Sequence, residues 1–161
     1  MPNWCSNYTT FKGSKENIEA LNNAINKAIE RETADKQGQA IHSSEVKDGY
    51  FFDLYNNGIE HEELTMFYET RWCPNLDDLA LLCKEFGVDA DTEFNEDGCQ
   101  VYGTAKVYSD GTYTDEYVEQ EFYNLIDYDE ETNLYIYDGV GYEIMHEIIE
   151  DHYSTWKEKN L

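Results

Sequence analysis

The chain is short of positive charge. It has 11 Lys plus Arg against 35 Asp plus Glu, a formal charge of −24 over 161 residues. That deficit excludes ordinary nucleic-acid binding, which needs cations to displace phosphate counterions, and it argues against docking on anionic lipid. No apolar run reaches the length of a membrane span. The opening Met1-Pro2-Asn3-Trp4-Cys5 has neither the basic nor the apolar region of a signal peptide. The four cysteines, Cys5, Cys73, Cys83 and Cys99, include no Cys-x-x-Cys pair, so they fit neither a zinc ribbon nor a redox motif. Without a secretion signal they read as reduced, mostly buried thiols of a cytoplasmic protein. Aromatic residues are plentiful, with 14 Tyr, 7 Phe and 3 Trp. An acidic chain without them would read as disordered; this one reads as folded. Its length suits one domain, or at most two small ones, with a core that needs no disulfide staples.

The charge is uneven. Residues 1–42 balance five acids with five bases, residues 43–106 carry −11, and residues 107–156 carry fourteen acids and no Lys or Arg at all. Lys157, Glu158 and Lys159 close the sum. Ten of the tyrosines fall between Tyr102 and Tyr153.

Residues 4–11 read as a strand. Ser14 is placed to cap a helix over 15–32, with Ile18, Leu21, Ile25, Ala28 and Ile29 on one face. Residues 33–49 read as a loop and 50–55 as a strand closed by the turn residues Asn56-Asn57-Gly58. A further strand over 64–72 ends at Pro74. A helix over 76–86 follows, with Asp77 and Asp78 at its positive end and Gly87 as its stop. Glu96-Asp97-Gly98 and Asp110-Gly111 mark hairpins among strands at 89–95, 99–108 and 112–117. A short helix over 118–126, a strand over 134–137 and a last helix over 142–157 complete the chain. The order strand–helix–strand–strand–helix–strand predicts an α+β fold: a ferredoxin-like antiparallel sheet with two packed helices plus a C-terminal strand and helix extension. The expected division is a domain at 1–115 and an acidic extension at 116–161 packed on it.

The opening MPNWCSN and Gly13 resemble the start of the YubB/Api92-like proteins of plasmids and phages. Tyr68-Glu69-Thr70-Arg71-Trp72-Cys73-Pro74 is similar to that family's aromatic-Glu-Thr-x-Trp-Ser-Pro segment, with Cys73 at the usual Ser. Glu96, Gly98, Gly103 and Gly111 follow its hairpin glycines. The likeness covers roughly residues 1–115, weakly at 33–60. It implies a ferredoxin-like domain from a mobile element in a bacterial host, and no established activity. Trp4, Cys5, Trp72 and Pro74 are expected to plug the sheet against its helices, and the glycines to serve turns or bulges.

Motifs for chemistry are incomplete. His146-Glu147-Ile148-Ile149-Glu150 has Glu where a zinc protease needs its second His. A calcium loop starting at Asp127 has Thr132 where the turn glycine belongs. Nucleotide-binding and Gly-x-Ser-x-Gly signatures are missing. The expectation is a non-enzymatic chain with no cofactor.

The remaining signal is the acidity. A chain of this mass exposes about 8,000 Å², or about one excess charge per 350 Å². Solubility needs a net charge of only about 2–8, and the excess costs stability through self-repulsion. An excess of this size matches the phosphates of about 12 base pairs of duplex. The reading is therefore a nucleic-acid mimic that blocks a basic nucleic-acid-binding host protein, of restriction or CRISPR type. Its contact residues are expected to be Asp115, Glu116, Glu119, Glu121, Asp127, Asp129, Glu130, Glu131, Glu143, Glu147, Glu150 and Asp151, with Glu143, Glu147 and Glu150 on one face of the last helix. The alternatives are a ferredoxin-like binding module for another partner and an enzyme with an unrecognised site.

Overall fold

Aromatic and β-branched residues build the first strand. In the computed structural model, which describes residues 3–160, β1 (Trp4–Lys12) turns Cys5, Asn7, Thr9 and Phe11 inward and Trp4, Ser6 and Tyr8 outward. Met1 and Pro2 of the opening motif lie outside the described residues. The Ser14 hydroxyl accepts from the Asn17 amide and caps α1 (Lys15–Asp35), which buries Ile18, Leu21, Ile25 and Ala28. The helix runs three residues past its expected end and closes on Lys36 in the left-handed region, φ 53°.

β2 (Phe52–Glu60) and β3 (Glu63–Arg71) follow, then α2 (Leu76–Phe86), β4 (Asp89–Glu96), β5 (Val101–Val107) and β6 (Tyr113–Tyr117). Asn56-Asn57-Gly58 is not the hairpin turn: it lies inside β2 as a bulge, where the Asn56 side chain accepts from the Gly58 amide, and the chain reverses at His61-Glu62. α2 closes on Gly87 at φ 65°, as its sequence predicts. The sheet order is β2-β3-β1-β4-β5-β6, with β1 antiparallel to both β3 and β4. The first four strands and two helices give the ferredoxin-like order, and β5 and β6 widen the sheet. One core joins the inner sheet residues (Phe11, Leu64, Met66, Tyr68, Phe94) to the apolar faces of α1 and α2. Each large apolar side chain so buried contributes about 1.5–3 kcal/mol.

Cys5 and Pro74 are buried as expected, but Trp4 and Trp72 are not: they are 40% and 49% exposed. Trp4 has outward parity on β1, and Trp72 follows the end of β3 at φ 69°. Cys83 is buried, whereas Cys73 and Cys99 are exposed. Gly111 takes a turn at φ 87°. Gly103 instead lies in β5, where a Cβ would stand 2.5 Å from the Glu116 carbonyl oxygen.

The chain divides into two compact units, Met1–Glu116 and Tyr117–Leu161. The second contains α3 (Gln120–Tyr123) and an antiparallel sheet of β7 (Asp127–Asp129), β8 (Leu134–Tyr137) and β9 (Val140–Tyr142). It ends in α4 (Met145–Ile148), a π-helical segment at Ile149–Tyr153 and α5 (Ser154–Asn160). Phe122 is its centre, 5.2–5.5 Å from the rings of Tyr137, Tyr153 and Trp156. The expected helix at 142–157 is corrected: residues 140–142 form β9, and the helix starts at Met145. Asp138-Gly139, with φ 49° and 78°, makes the tight turn before β9.

Candidate functional site

The structure places the twelve predicted acidic residues in several elements, two of them in the first unit and ten in the second. Asp115 and Glu116 belong to β6, an edge strand, where exposed charge also deters pairing with another chain. Glu119 is the half-buried cap residue of α3, and Glu121 is exposed within it. Asp127, Asp129, Glu130 and Glu131 cluster on the β7–β8 hairpin. Asp129 accepts from the Thr132 hydroxyl and then the Glu131 amide, which hold its carboxyl below the ordinary value. The would-be calcium loop is thus a hairpin turn.

Glu147 lies on α4, and Glu150 and Asp151 lie on the π-helical segment. Glu143 precedes the helix, so the expected ladder of three carboxylates on one helix face does not form. Residues 140–142 belong to β9, which leaves Glu143 outside the helix, and beyond Ile148 the helix itself changes pitch. Met145 and Ile148 are three apart, the step to Tyr153 is five, and Trp156 is three further on. A five-residue step is a π turn, and it resets the helix face. His146 donates from Nε2 to Glu150 at 2.8 Å. Among the described residues, Glu121, Asp127, Glu130, Glu131, Glu143, Glu147 and Asp151 are exposed and pair with no Lys or Arg.

A second polar group escaped the sequence reading. Asp78, on the first turn of α2, is fully buried and accepts from the amides of Lys47, Asp48 and Gly49 and from His42 Nε2 at 2.7 Å. Asp48 reciprocates by accepting from the Asp77 and Asp78 amides at the helix N-terminus. The pair fastens loop 42–49 to α2. Burial, and then its hydrogen bond to Asp78, push the Asp48 carboxyl up to about 7. Burial acts upward on Asp78 too, but the bonds from Asp48, Gly49 and Lys47 outweigh it and hold that carboxyl down. The His42 and Asp78 side chains have no exposure to solvent, so the dyad is sealed within the loop it fastens.

The thiols are not activated. Burial pushes Cys5 and Cys83 up to about 12. Partial burial and the Asp48 charge raise Cys73, and the Glu96 hydrogen bond and slight desolvation raise Cys99. A thiolate nucleophile needs the opposite shift. Among the described residues no group of three or more His, Cys, Asp or Glu is placed to hold a metal ion, and no helix is long and apolar enough to cross a membrane.

Comparison with known proteins agrees with the sheet topology. Residues 51–138 match the family described as the ferredoxin-like domain in Api92-like protein. The match starts at Phe51, beyond the opening MPNWCSN motif, and extends through β8 into the second unit, further than residue 115. No curated protein and no solved structure matches the chain. The match spans more than half of the 161 residues, and the chain belongs to this Api92-like ferredoxin-like family.

Proposed function

We propose that the chain works by protein–protein binding, as a nucleic-acid mimic that occupies the phosphate-binding groove of a basic DNA- or RNA-binding protein. On this reading the target is a host defence protein of restriction or CRISPR type. The observation that carries the proposal is the set of exposed carboxylates in the second unit, seven of which have no Lys or Arg partner among the described residues. Pairing them internally would have stabilised the unit; left open, they suit the Arg and Lys side chains of a phosphate groove. Asp127, Glu130 and Glu131 stand on the β7–β8 hairpin, and Glu147 and Asp151 on the closing helical segment; both supply rings to the Phe122 cluster, so their backbone positions are set before binding. Opposite charge also gives the fast, steered association an inhibitor needs.

The test is capture of the partner from bacterial lysate at low and high salt, followed by competition with duplex DNA and RNA. Affinity is expected to fall steeply with salt and to be mutually exclusive with nucleic acid. A ternary complex with nucleic acid still bound, or salt-insensitive affinity, sinks the reading. Glu143, Glu147 and Glu150 each changed to Lys is expected to weaken binding about tenfold or more, given that a close charge pair couples by about 1.5 kcal/mol or more.

A further inference from the structure

The face of the six-stranded sheet away from its helices carries a feature that the acidic unit does not explain. On β1, Trp4, Ser6 and Tyr8 point outward; on β3, Phe67, Glu69 and Arg71 do. Register sets them in rows, with Trp4 opposite Arg71, Ser6 opposite Glu69 and Tyr8 opposite Phe67. Phe52 of β2 flanks Glu69 on its other side. The Tyr8 and Phe67 rings are 4.6 Å apart and the Trp4 and Phe52 rings 5.1 Å apart. The small Ser6 lies between Trp4 and Tyr8 on β1, with Glu69 opposite it on β3. Trp4, Tyr8 and Phe67 are each 40–41% exposed.

Glu69 is the unusual group. It is half-buried and, among the described residues, its side chain has no hydrogen bond or ion pair. Arg71, two residues on, lays its guanidinium over the Phe52 ring at 4.8 Å instead. Burial, and then the negative charge of Asp53, push the Glu69 carboxyl above its ordinary value. A partly desolvated carboxylate among rings is stabilised by a cation, and ring faces attract the same charge.

We propose that the two ring pairs form a recess over Ser6, beside Glu69, and that it binds the guanidinium of an arginine side chain on a basic partner protein. Guanidinium is planar, weakly hydrated and able to stack on a ring while donating two hydrogen bonds to one carboxylate; an ammonium is compact and strongly hydrated. A nucleobase could stack on the rings, but its phosphates would meet Glu69, Asp53 and a molecule of charge −24. The inference shares with the proposed function only the premise of a cationic partner, and it concerns a different surface.

The experiment titrates the full chain with an eight-residue arginine peptide and with its lysine counterpart, followed by NMR. Salt is held at about 0.5 M, where the screening length is below about 8 Å. The arginine peptide is expected to shift the resonances of Ser6, Tyr8, Phe67 and Glu69 and to bind about fivefold or more tightly than the lysine peptide. Glu69→Gln and Phe67→Ser, both outside the core, are each expected to remove that preference. The triple reversal at Glu143, Glu147 and Glu150 is expected to weaken both peptides together and leave the preference intact. Equal affinities, a preference that survives both recess variants, or concentration-dependent shifts of the same residues from pairing of two copies overturn the proposal. The mimicry reading fails separately, in the competition with nucleic acid.

Discussion

Asp48 and Asp78 show how two similar residues acquire opposite chemistry from their surroundings. Asp78 accepts three loop amides and a histidine and is favoured ionised; Asp48 is partly desolvated beside that negative charge and is favoured protonated. The signs follow from linkage. Asp48 titrates at about 7 when folded against an ordinary 3.8, so its contribution is full below 3.8 and is lost as pH rises through 7. Asp78 titrates below 3.8 when folded, so its contribution is present above 3.8 and is lost as pH falls below that value. Thermal melts across pH are therefore expected to show a smaller fall in Tm from pH 4 to 7 for Asp48→Asn than for the unaltered chain. Asp78→Ala is expected to cost about 3–5 kcal/mol in urea unfolding, because it strands a buried histidine and three amides. At sequence level Asp78 is one of two acids suited to a helix N-terminus. Its loop partners lie 29 to 36 residues away, and no local pattern announces such a contact.

Among the elements, those with strong local signals agree in sequence and structure. Ser14 caps α1, Gly87 closes α2, and the apolar faces of both helices are the buried ones. Ser14→Ala is expected to cost about 1 kcal/mol, measured as a shifted urea midpoint. Gly103→Ala is expected to cost more, about 1–3 kcal/mol. Its Cβ would meet the Glu116 carbonyl at 2.5 Å and the Phe94 ring at 2.7 Å, and backbone cannot step aside as a flexible side chain can. Elements whose shape depends on distant packing were less legible. The last helix has its apolar residues near α-helical spacing, yet the Phe122 cluster draws in Tyr153 and Trp156, and the helix absorbs the mismatch as a π turn. The Asn56-Asn57-Gly58 bulge carries turn chemistry but is held in the ladder by β3. Trp4 is expected in the core from its sequence motif, but its parity with Ser6 and Tyr8 on β1, opposite to that of Cys5, turns it outward. Pairing across to Phe67 and Glu69 needed the register. Asp138-Gly139 was a missed local signal, a two-residue hairpin turn in plain view.

At the scale of the whole molecule, the same charges must act in opposite directions on stability and on binding. Spread over 9576 Å², a net −24 is one excess charge per about 400 Å², or about 20 Å between neighbours. The Debye length is about 30 Å at 0.01 M salt and about 8 Å at 0.15 M, so this range of salt takes the repulsion from largely felt to largely screened. Salt also screens the attraction to a cationic partner, where release of counterions makes affinity fall with its logarithm. The Tm of the free protein is therefore expected to rise between 0.01 and 0.15 M sodium chloride, mostly within that interval, while affinity for a basic partner falls across it and keeps falling above it. Differential scanning calorimetry of the free chain, set beside isothermal titration at matched salt, reads both. Parallel trends would mean that the charges governing stability are not those presented to the partner. Divergent trends would tie the acidity to binding, because a surface selected for solubility alone needs a net charge of only about 2–8 and gains nothing from repulsion it must then withstand.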